Sequence, residues 1–411
     1  MFLRVFFKKN HPSKQVFYYM NYFKLDNNQN RIFGLDLLRF IAIFMVLLGH
    51  ANIFVPDHIK TTYIYKILLD GVSIFFVLSG FLIGGILIKQ LEKSKPTYAG
   101  LIHFWKRRWL RTVPAYAFVL LILLIYTITY VPDNLPKDWW KLFVFSQNLF
   151  AERPGFFAEA WSLSIEEWFY LTIPFILFSI LYFFKTSVKW TVLIVSISVI
   201  VVVSYYRVYL YHKYGFHGGS AEEIDAFKSY IQLNIEYQVV PRLDSIMYGV
   251  IASFIAYYYP LIWNNKYNFL LLIIGIFIIY YTKRNMGKSY FIYNSVWVPS
   301  IRSICIVLIL PFVSNLKKGL GIWTSWITFI SLISYSLYLV NLNIVAVAII
   351  KNGLNHSDGS KYIITDHWFR DYVFYWVFTI VIAFFMYKYI EVPFMNLRER
   401  KKKIASDLKS I

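Results

Sequence analysis

The stretch Gly34–Phe54, "GLDLLRFIAIFMVLLGHANIF", decides the fold. Its apolar length fits a bilayer-crossing helix, which needs about 20 predominantly apolar residues. Yet it carries Asp36, Arg39 and His50. At about 100° per residue, Asp36 and Arg39 lie about 300° apart, and Asp36 and His50 about 320° apart after whole turns. All three therefore project within a sector of about 60°. Arg39 and His50 are separated by about 16.5 Å of rise. One polar stripe is expected to run along this helix. Ionisable groups are costly in lipid, and inside a span they mark function by default.

The rest of the chain has the same character. Of its 411 residues, 58% are hydrophobic and 16% charged, against about 25% charged in a soluble domain. The mean hydropathy is +0.52. Apolar runs predict ten spans, near 36–55, 65–88, 112–131, 165–184, 188–210, 243–260, 267–282, 291–313, 326–350 and 372–392. An all-α polytopic transmembrane helix bundle follows, with both termini on one side. Residues 31–397 form the membrane domain, between an N-terminal segment (1–30) and a basic tail (398–411). The apolar patches of the N-terminal segment are too short for a signal peptide, and Met20 is an alternative start. Cys305, the sole cysteine, reads as a small buried hydrophobe.

Lys and Arg total 42 and Asp and Glu 22, a net charge of +20. In a soluble protein that excess suggests nucleic acid. Here it reads as the positive-inside bias of membrane loops, and no nucleic-acid partner is expected. Segment 1–35 has six basic residues and one acid, and segment 89–111 has seven and one. The "LRERKKK" tail falls on the same side, which is expected to be cytoplasmic. Segment 211–241, on the other side, has two basic residues and four acids. The loop "TKRNMG" (282–287) is an exception, with Lys283 and Arg284 outside.

Four further motifs carry ionisable or small residues. "HFWKRRWLRTVPAY" (103–116) brings Lys106, Arg107, Arg108 and Arg111 to the cytoplasmic edge of a span. Arg108 and Arg111 share a helix face, and guanidinium groups bind phosphate in bidentate fashion. A nucleotide-bearing donor would need such a patch, although an ordinary basic flank explains it too. "AEAWSLSIEEWFYLTIP" (158–174) puts Glu166 and Glu167 at the outer entrance of the fourth span, at the depth expected for His50. They either cap the helix or orient the imidazole. "VPRLDSIMYGV" (240–250) offers Arg242 and Asp244, as an interfacial pair or as substrate contacts. The small residues of "DGVSIFFVLSGFLIGGI" (70–86) favour close helix packing.

Taken in order, "GLDLLRFIAIFMVLLGHA", "GVSIFFVLSGFLI", "KRRWLRTVPAY", "WSLSIEEWFYL", "PRLDSIMYGV", "ISYSLYLVN" and "YIEVPF" resemble the acyltransferase family 3 of integral membrane proteins. That family includes bacterial surface-glycan O-acetylases. The resemblance implies a ten-helix core in the bacterial inner membrane that passes an acyl group from cytoplasmic acyl-CoA, usually acetyl-CoA, to a sugar hydroxyl outside. The family's Arg-x10-His pattern falls on Arg39 and His50, its Arg-x-x-Arg pattern on Arg108 and Arg111, and its double acid on Glu166 and Glu167. Two positions depart from the pattern. Ser73 stands where Asp is frequent, and Asn341 where His is frequent; neither is expected to touch His50. No fused SGNH-type esterase domain is seen, so a stand-alone transferase, or one using a separate partner, is expected.

The expected chemistry follows. Arg108 and Arg111, with Lys106 and Arg107, hold the donor phosphates, and Arg39 lies further along the donor's path. His50 is the general base, oriented by Glu166 or Glu167, and no metal is required. Asp36 either joins the chemistry or holds Arg39. Trp161, Arg242 and Asp244 are placed as contacts to a carbohydrate acceptor, with membrane lipid as the surroundings. The alternatives are a transporter or flippase using Asp36, Arg39 and His50 as a proton relay, and a glycan polymerase or ligase fed by a lipid-linked donor.

Overall fold

The computed structural model describes residues 31–56, 59, 70–151, 155–214, 220–285, 295–319, 321–354 and 367–397. The N-terminal segment and the tail lie outside these. Among the described residues, every regular element is helical.

The opening stretch forms α1 (Phe33–Ala51). It is followed by α2 (Gly71–Lys93), α3 (Tyr98–Tyr130), α4 (Ala160–Phe184) and α5 (Val188–Tyr214). Then come α6 (Ala221–Ile231), α7 (Leu243–Tyr258), α8 (Asn268–Asn285) and α9 (Val298–Ser314). The last are α10 (Ile322–Leu332), α11 (Ser334–Val340), which continues as a π-helical stretch Asn341–Leu354, and α12 (Trp368–Met386).

Ten spans were expected from the sequence. Seven of the described helices are long and apolar enough to cross a membrane, and an eighth if one bent pair counts as a span. The two remaining helices fall short for different reasons: α9 has only 17 residues, about 26 Å of rise against a hydrocarbon core of about 30 Å, whereas the 18-residue α8 ends in the polar turn Thr282, Lys283, Arg284 and Asn285. Both helices nonetheless form at the expected places.

The bent pair joins Glu222–Glu236 to Val240–Tyr258 at 83°. Such a break is tolerated within a membrane only where protein groups satisfy the backbone it frees. Asn148 supplies them. Its amide donates to the Tyr237 carbonyl (2.6 Å), and its backbone carbonyl accepts from Val239 N–H (3.0 Å).

The centre of the bundle is the α2–α7 pair. A Cβ on Gly80 would sit 1.9 Å from the Ile246 carbonyl oxygen, and one on Gly249 2.1 Å from that of Val77. Only glycine permits this approach, which bears out the packing reading of the second-span small residues. Gly80 meets Ile246 and Gly249, and Gly84 meets Val250 and Ser253, so the two helices run parallel. Gly71 lies against the Ala42 carbonyl and Val46. The start of α2 is thus level with the middle of α1, while Ser79, Leu82 and Ile83 further along α2 share a cavity with Arg39 nearer the start of α1, so the two helices run antiparallel.

Candidate active site

Polar groups from five helices converge beside α2. A cavity of about 110 Å³ is lined by Arg39 of α1, Ser79 of α2, Arg108, Arg111 and Thr112 of α3, Glu166 and Tyr170 of α4, and Tyr335 and Tyr338 of α11. Phe75, Phe76, Leu82 and Ile83 form its apolar wall. The volume admits a slender chain and excludes a nucleotide. Three of the five predicted cationic residues therefore meet in one place. Lys106 and Arg107 are not in the lining.

Asp36 holds Arg39 in position. Its carboxylate is buried and accepts from Arg31 Nε (2.9 Å) and Nη2 (2.5 Å), Arg39 Nη1 (3.1 Å) and Ser331 Oγ (2.9 Å). It does not line the cavity. The structure thus favours the anchoring role over a direct chemical one, because this carboxylate is occupied by two guanidinium groups and a hydroxyl.

The double acid is placed differently from expectation. Helix α4 begins at Ala160, so Glu166 and Glu167 lie almost two turns inside it and cap nothing. Glu166 accepts from Ser79 Oγ (3.1 Å) and Tyr170 Oη (2.8 Å), and faces the cavity with Arg39, Arg108 and Arg111. Glu167 accepts from Thr112 Oγ1 (2.7 Å). The acids sit at the level of the arginines rather than that of His50.

The Nδ1 of His50 is held instead by Asn341, 2.5 Å from its Oδ1. Asn341 is fully buried, and its Nδ2 donates to the carbonyls of Leu337 (3.0 Å) and Tyr338 (2.7 Å). Those two bonds fix which way the amide faces. Its oxygen must then point at the imidazole, so Nδ1 carries a proton. The Tyr375 hydroxyl lies 3.3 Å from the same oxygen and 3.1 Å from the Leu47 carbonyl, donating to one of them. The departure at Asn341 therefore does touch His50, contrary to expectation. Asn341 opens the π-helical stretch, and such irregularities recur at functional sites. Its one sequence signal was a polar residue ending the motif "ISYSLYLVN".

The acceptor contacts expected at the sixth span separate. Asp244 pairs with Arg207 of α5 (2.8 Å), both fully buried, and accepts from Ser300 (2.8 Å). This is an internal ion pair, and no cavity described here is lined by Asp244. Arg207 was not singled out in the sequence. Arg242 does not bond Asp244; it donates to Ser73 Oγ (3.0 Å) and covers the Phe76 ring at 5.4 Å. Trp161 meets Phe76 edge-on (6.1 Å) and Tyr237 at 4.8 Å. Arg242 and Trp161 thus sit behind Phe76 rather than in the lining. Ser73, the other departure, donates to Asp70 (2.6 Å), which also takes Arg302 Nη1 (3.0 Å).

Comparisons with known proteins address the family of the chain. The family model described as "Acyltransferase domain" matches residues 32–388. The O-acetyltransferase OatA of Staphylococcus aureus is 32% identical over 183 residues, which cover 40% of this chain and 28% of that protein. The peptidoglycan O-acetyltransferase OatA of Listeria monocytogenes is 34% identical over 157 residues, 34% of this chain and 23% of that protein. A putative O-acetyltransferase of Staphylococcus aureus is 26% identical over 245 residues, 54% of this chain and 34% of that protein. The aligned regions thus span about a third or less of these relatives. No solved structure matches. The family match runs from the start of α1 into the last span, over most of the chain: the chain belongs to acyltransferase family 3, as an integral multi-pass membrane protein.

Proposed function

We propose that the protein is a membrane O-acyltransferase that moves an acyl group, most simply acetyl, from acyl-CoA to a carbohydrate hydroxyl. The observation that carries this reading is the convergence of Arg39, Arg108 and Arg111 in one cavity on the helix that also carries His50. Guanidinium groups suit the donor's phosphates. The donor's nucleotide stays at the mouth, where Arg111 is exposed, and only its slender arm enters. Arg39 and His50 lie about 16.5 Å apart along the helix, so the arm bridges the phosphate end and the reacting end.

At that end, Nε2 of His50 takes the proton of the acceptor hydroxyl as its oxygen attacks the thioester carbonyl. The new ester C–O bond forms as the C–S bond breaks. The leaving thiolate takes the proton back from the imidazolium. Asn341 keeps Nδ1–H in place throughout, as Asp36 keeps Arg39. The relatives' names point to an acetyl donor group and, for the Listeria protein, to peptidoglycan; a cell-envelope sugar is the acceptor we infer. The basic side of the chain is its cytoplasmic, donor-facing side, and the bacterial inner membrane is its location.

The test is acyl transfer by the purified protein from radiolabelled acetyl-CoA to envelope glycan. His50→Ala should lower the rate about 10²–10⁴-fold with acetyl-CoA affinity kept. Arg108→Ala with Arg111→Ala should instead weaken acetyl-CoA binding. Near-normal transfer by His50→Ala, or unchanged affinity in the double variant, would overturn the corresponding assignment.

A further inference from the structure

The arginine-lined cavity is elongated, and three helices give it one direction. Along α4 its lining runs from Tyr170 through Glu166 to Ser162, about 12 Å. Along α2 it runs from Ile83 back to Val72, next to the Gly71 that lies against the middle of α1. Along α11 it runs from Ser334 to Tyr338, about one turn short of the Asn341 that holds His50. Val72, Ser162 and Tyr338 therefore share the end that faces His50. Helix α1 keeps the same direction. Arg39 Nη1 lies 3.4 Å from Ser331 Oγ, and His50 pairs with Asn341, so α1 and the α10–α11 segment run side by side from the guanidinium to the imidazole.

That end is shut by two side chains. The Tyr338 hydroxyl donates to the Glu159 carbonyl (3.0 Å) and lies 2.7 Å from Ser162 Oγ. Its one proton goes to the carbonyl, so Ser162 supplies the proton of the second bond. Both side chains are buried. The two bonds tie α11 to the start of α4 across the end of the cavity. On the other side, the Tyr338 backbone carbonyl accepts from Asn341 Nδ2 (2.7 Å). One residue thus closes the cavity with its ring and supports the helper of His50 with its backbone. Arg39 and His50 are about 16.5 Å apart along α1. An acyl group that travels from the arginines to the imidazole meets Tyr338 before it meets His50.

We propose that Tyr338 is a door between the arginine-lined cavity and His50, latched by Ser162 and the Glu159 carbonyl. Open, by rotation of one side chain, it lets the acyl end of the donor reach the imidazole. Shut, it keeps a cavity lined by three arginines and Glu166 from becoming a water path across the membrane. The passage of the acyl end rests on the acyl-transfer reading; the closure does not, and the test reads the closure.

The reporter is Ser79→Cys, on the cavity wall, in the full chain with Cys305→Ser. The probe is sulfonatoethyl methanethiosulfonate, an anionic, membrane-impermeant thiol reagent, applied to intact cells and to inverted membrane vesicles. With Tyr338 intact, the reporter should be modified from one face of the membrane only, that of Arg111. Adding Tyr338→Ala should raise the rate from the opposite face at least tenfold. Tyr338→Phe keeps the ring and loses both hydrogen bonds, so it guards against a variant that merely fails to fold; it should raise that rate at least threefold. An unchanged rate from the Arg111 face shows that a variant is folded. Modification from both faces with Tyr338 intact, or from one face only in either folded variant, would overturn the proposal. A protein that shows the expected pattern yet binds no acetyl-CoA would remove the acyl-transfer reading and keep the door.

Discussion

At the scale of single residues, the site rests on two helpers, each holding a reacting or binding group through one oxygen-rich side chain. Asn341 fixes the tautomer of His50. Asn341→Leu removes the acceptor and frees the ring to turn or to carry its proton on Nε2. We expect the transfer rate to fall about 10–100-fold, with the KM for acetyl-CoA within twofold. Asn341→Asp keeps an acceptor for Nδ1–H and should retain far more activity than Asn341→Leu; equal losses would reduce Asn341 to packing. Asp36 makes the complementary case. If it anchors Arg39, Asp36→Asn should raise the KM for acetyl-CoA while kcat falls little. A fall in kcat at constant KM, read from steady-state kinetics, would instead make Asp36 a participant in the chemistry.

At the scale of elements, the α2–α7 crossing and the α5–α7 ion pair set the positions of the cavity walls. Gly249→Leu would drive a side chain into the Val77 carbonyl, where nothing flexible stands in the way to yield. Overpacking costs about 1–3 kcal/mol where the core can adjust. Backbone against backbone adjusts less, so a fall in thermal midpoint or loss of the monodisperse protein is expected on size-exclusion chromatography. Asp244→Ala leaves Arg207 buried without its counter-charge, at a cost of about 3–5 kcal/mol. Replacing both, Arg207→Met with Asp244→Leu, should restore much of that stability. If Asp244→Ala stays stable and only the KM for acceptor rises, the residue is a substrate contact after all. These pairings mark where sequence reading stops. The sector shared by Asp36 and Arg39, and the common face of Arg108 and Arg111, follow from helical periodicity within one element and were legible. Asn341 with His50, and Arg207 with Asp244, join residues 291 and 37 positions apart through packing that periodicity does not encode. The depth of Glu166 was misjudged because the start of α4, Ala160, was placed five residues too late.

At the scale of the whole molecule, two cavities lie on opposite faces of α2, one lined by three arginines and Glu166, the other largely apolar along α8 and α9 with Asp70, Lys283 and Arg302 at one end. The same helix therefore separates a polar route from an apolar groove. The polar route has a direction. Arg108 and Arg111 belong to the basic segment 89–111, whereas Phe157 and Ala160 pack in one cluster with Ala51 and Phe54, beyond His50. The positive-inside bias assigns the first end to the cytoplasm and the second to the outside. That assignment is open to direct measurement with two engineered cysteines in a Cys305→Ser background. Lys106→Cys lies on the exposed face of the basic segment. Gly155→Cys lies at an exposed position with no atom within 4 Å of its new Cβ. A membrane-impermeant maleimide applied to intact cells should label Gly155→Cys at once, and Lys106→Cys only after the membrane is permeabilised. The reverse pattern would put the arginines on the side that lacks acyl-CoA and remove the donor role from them. Labelling of both before permeabilisation would do the same, because a phosphate site open to the outside has no cytoplasmic donor to bind.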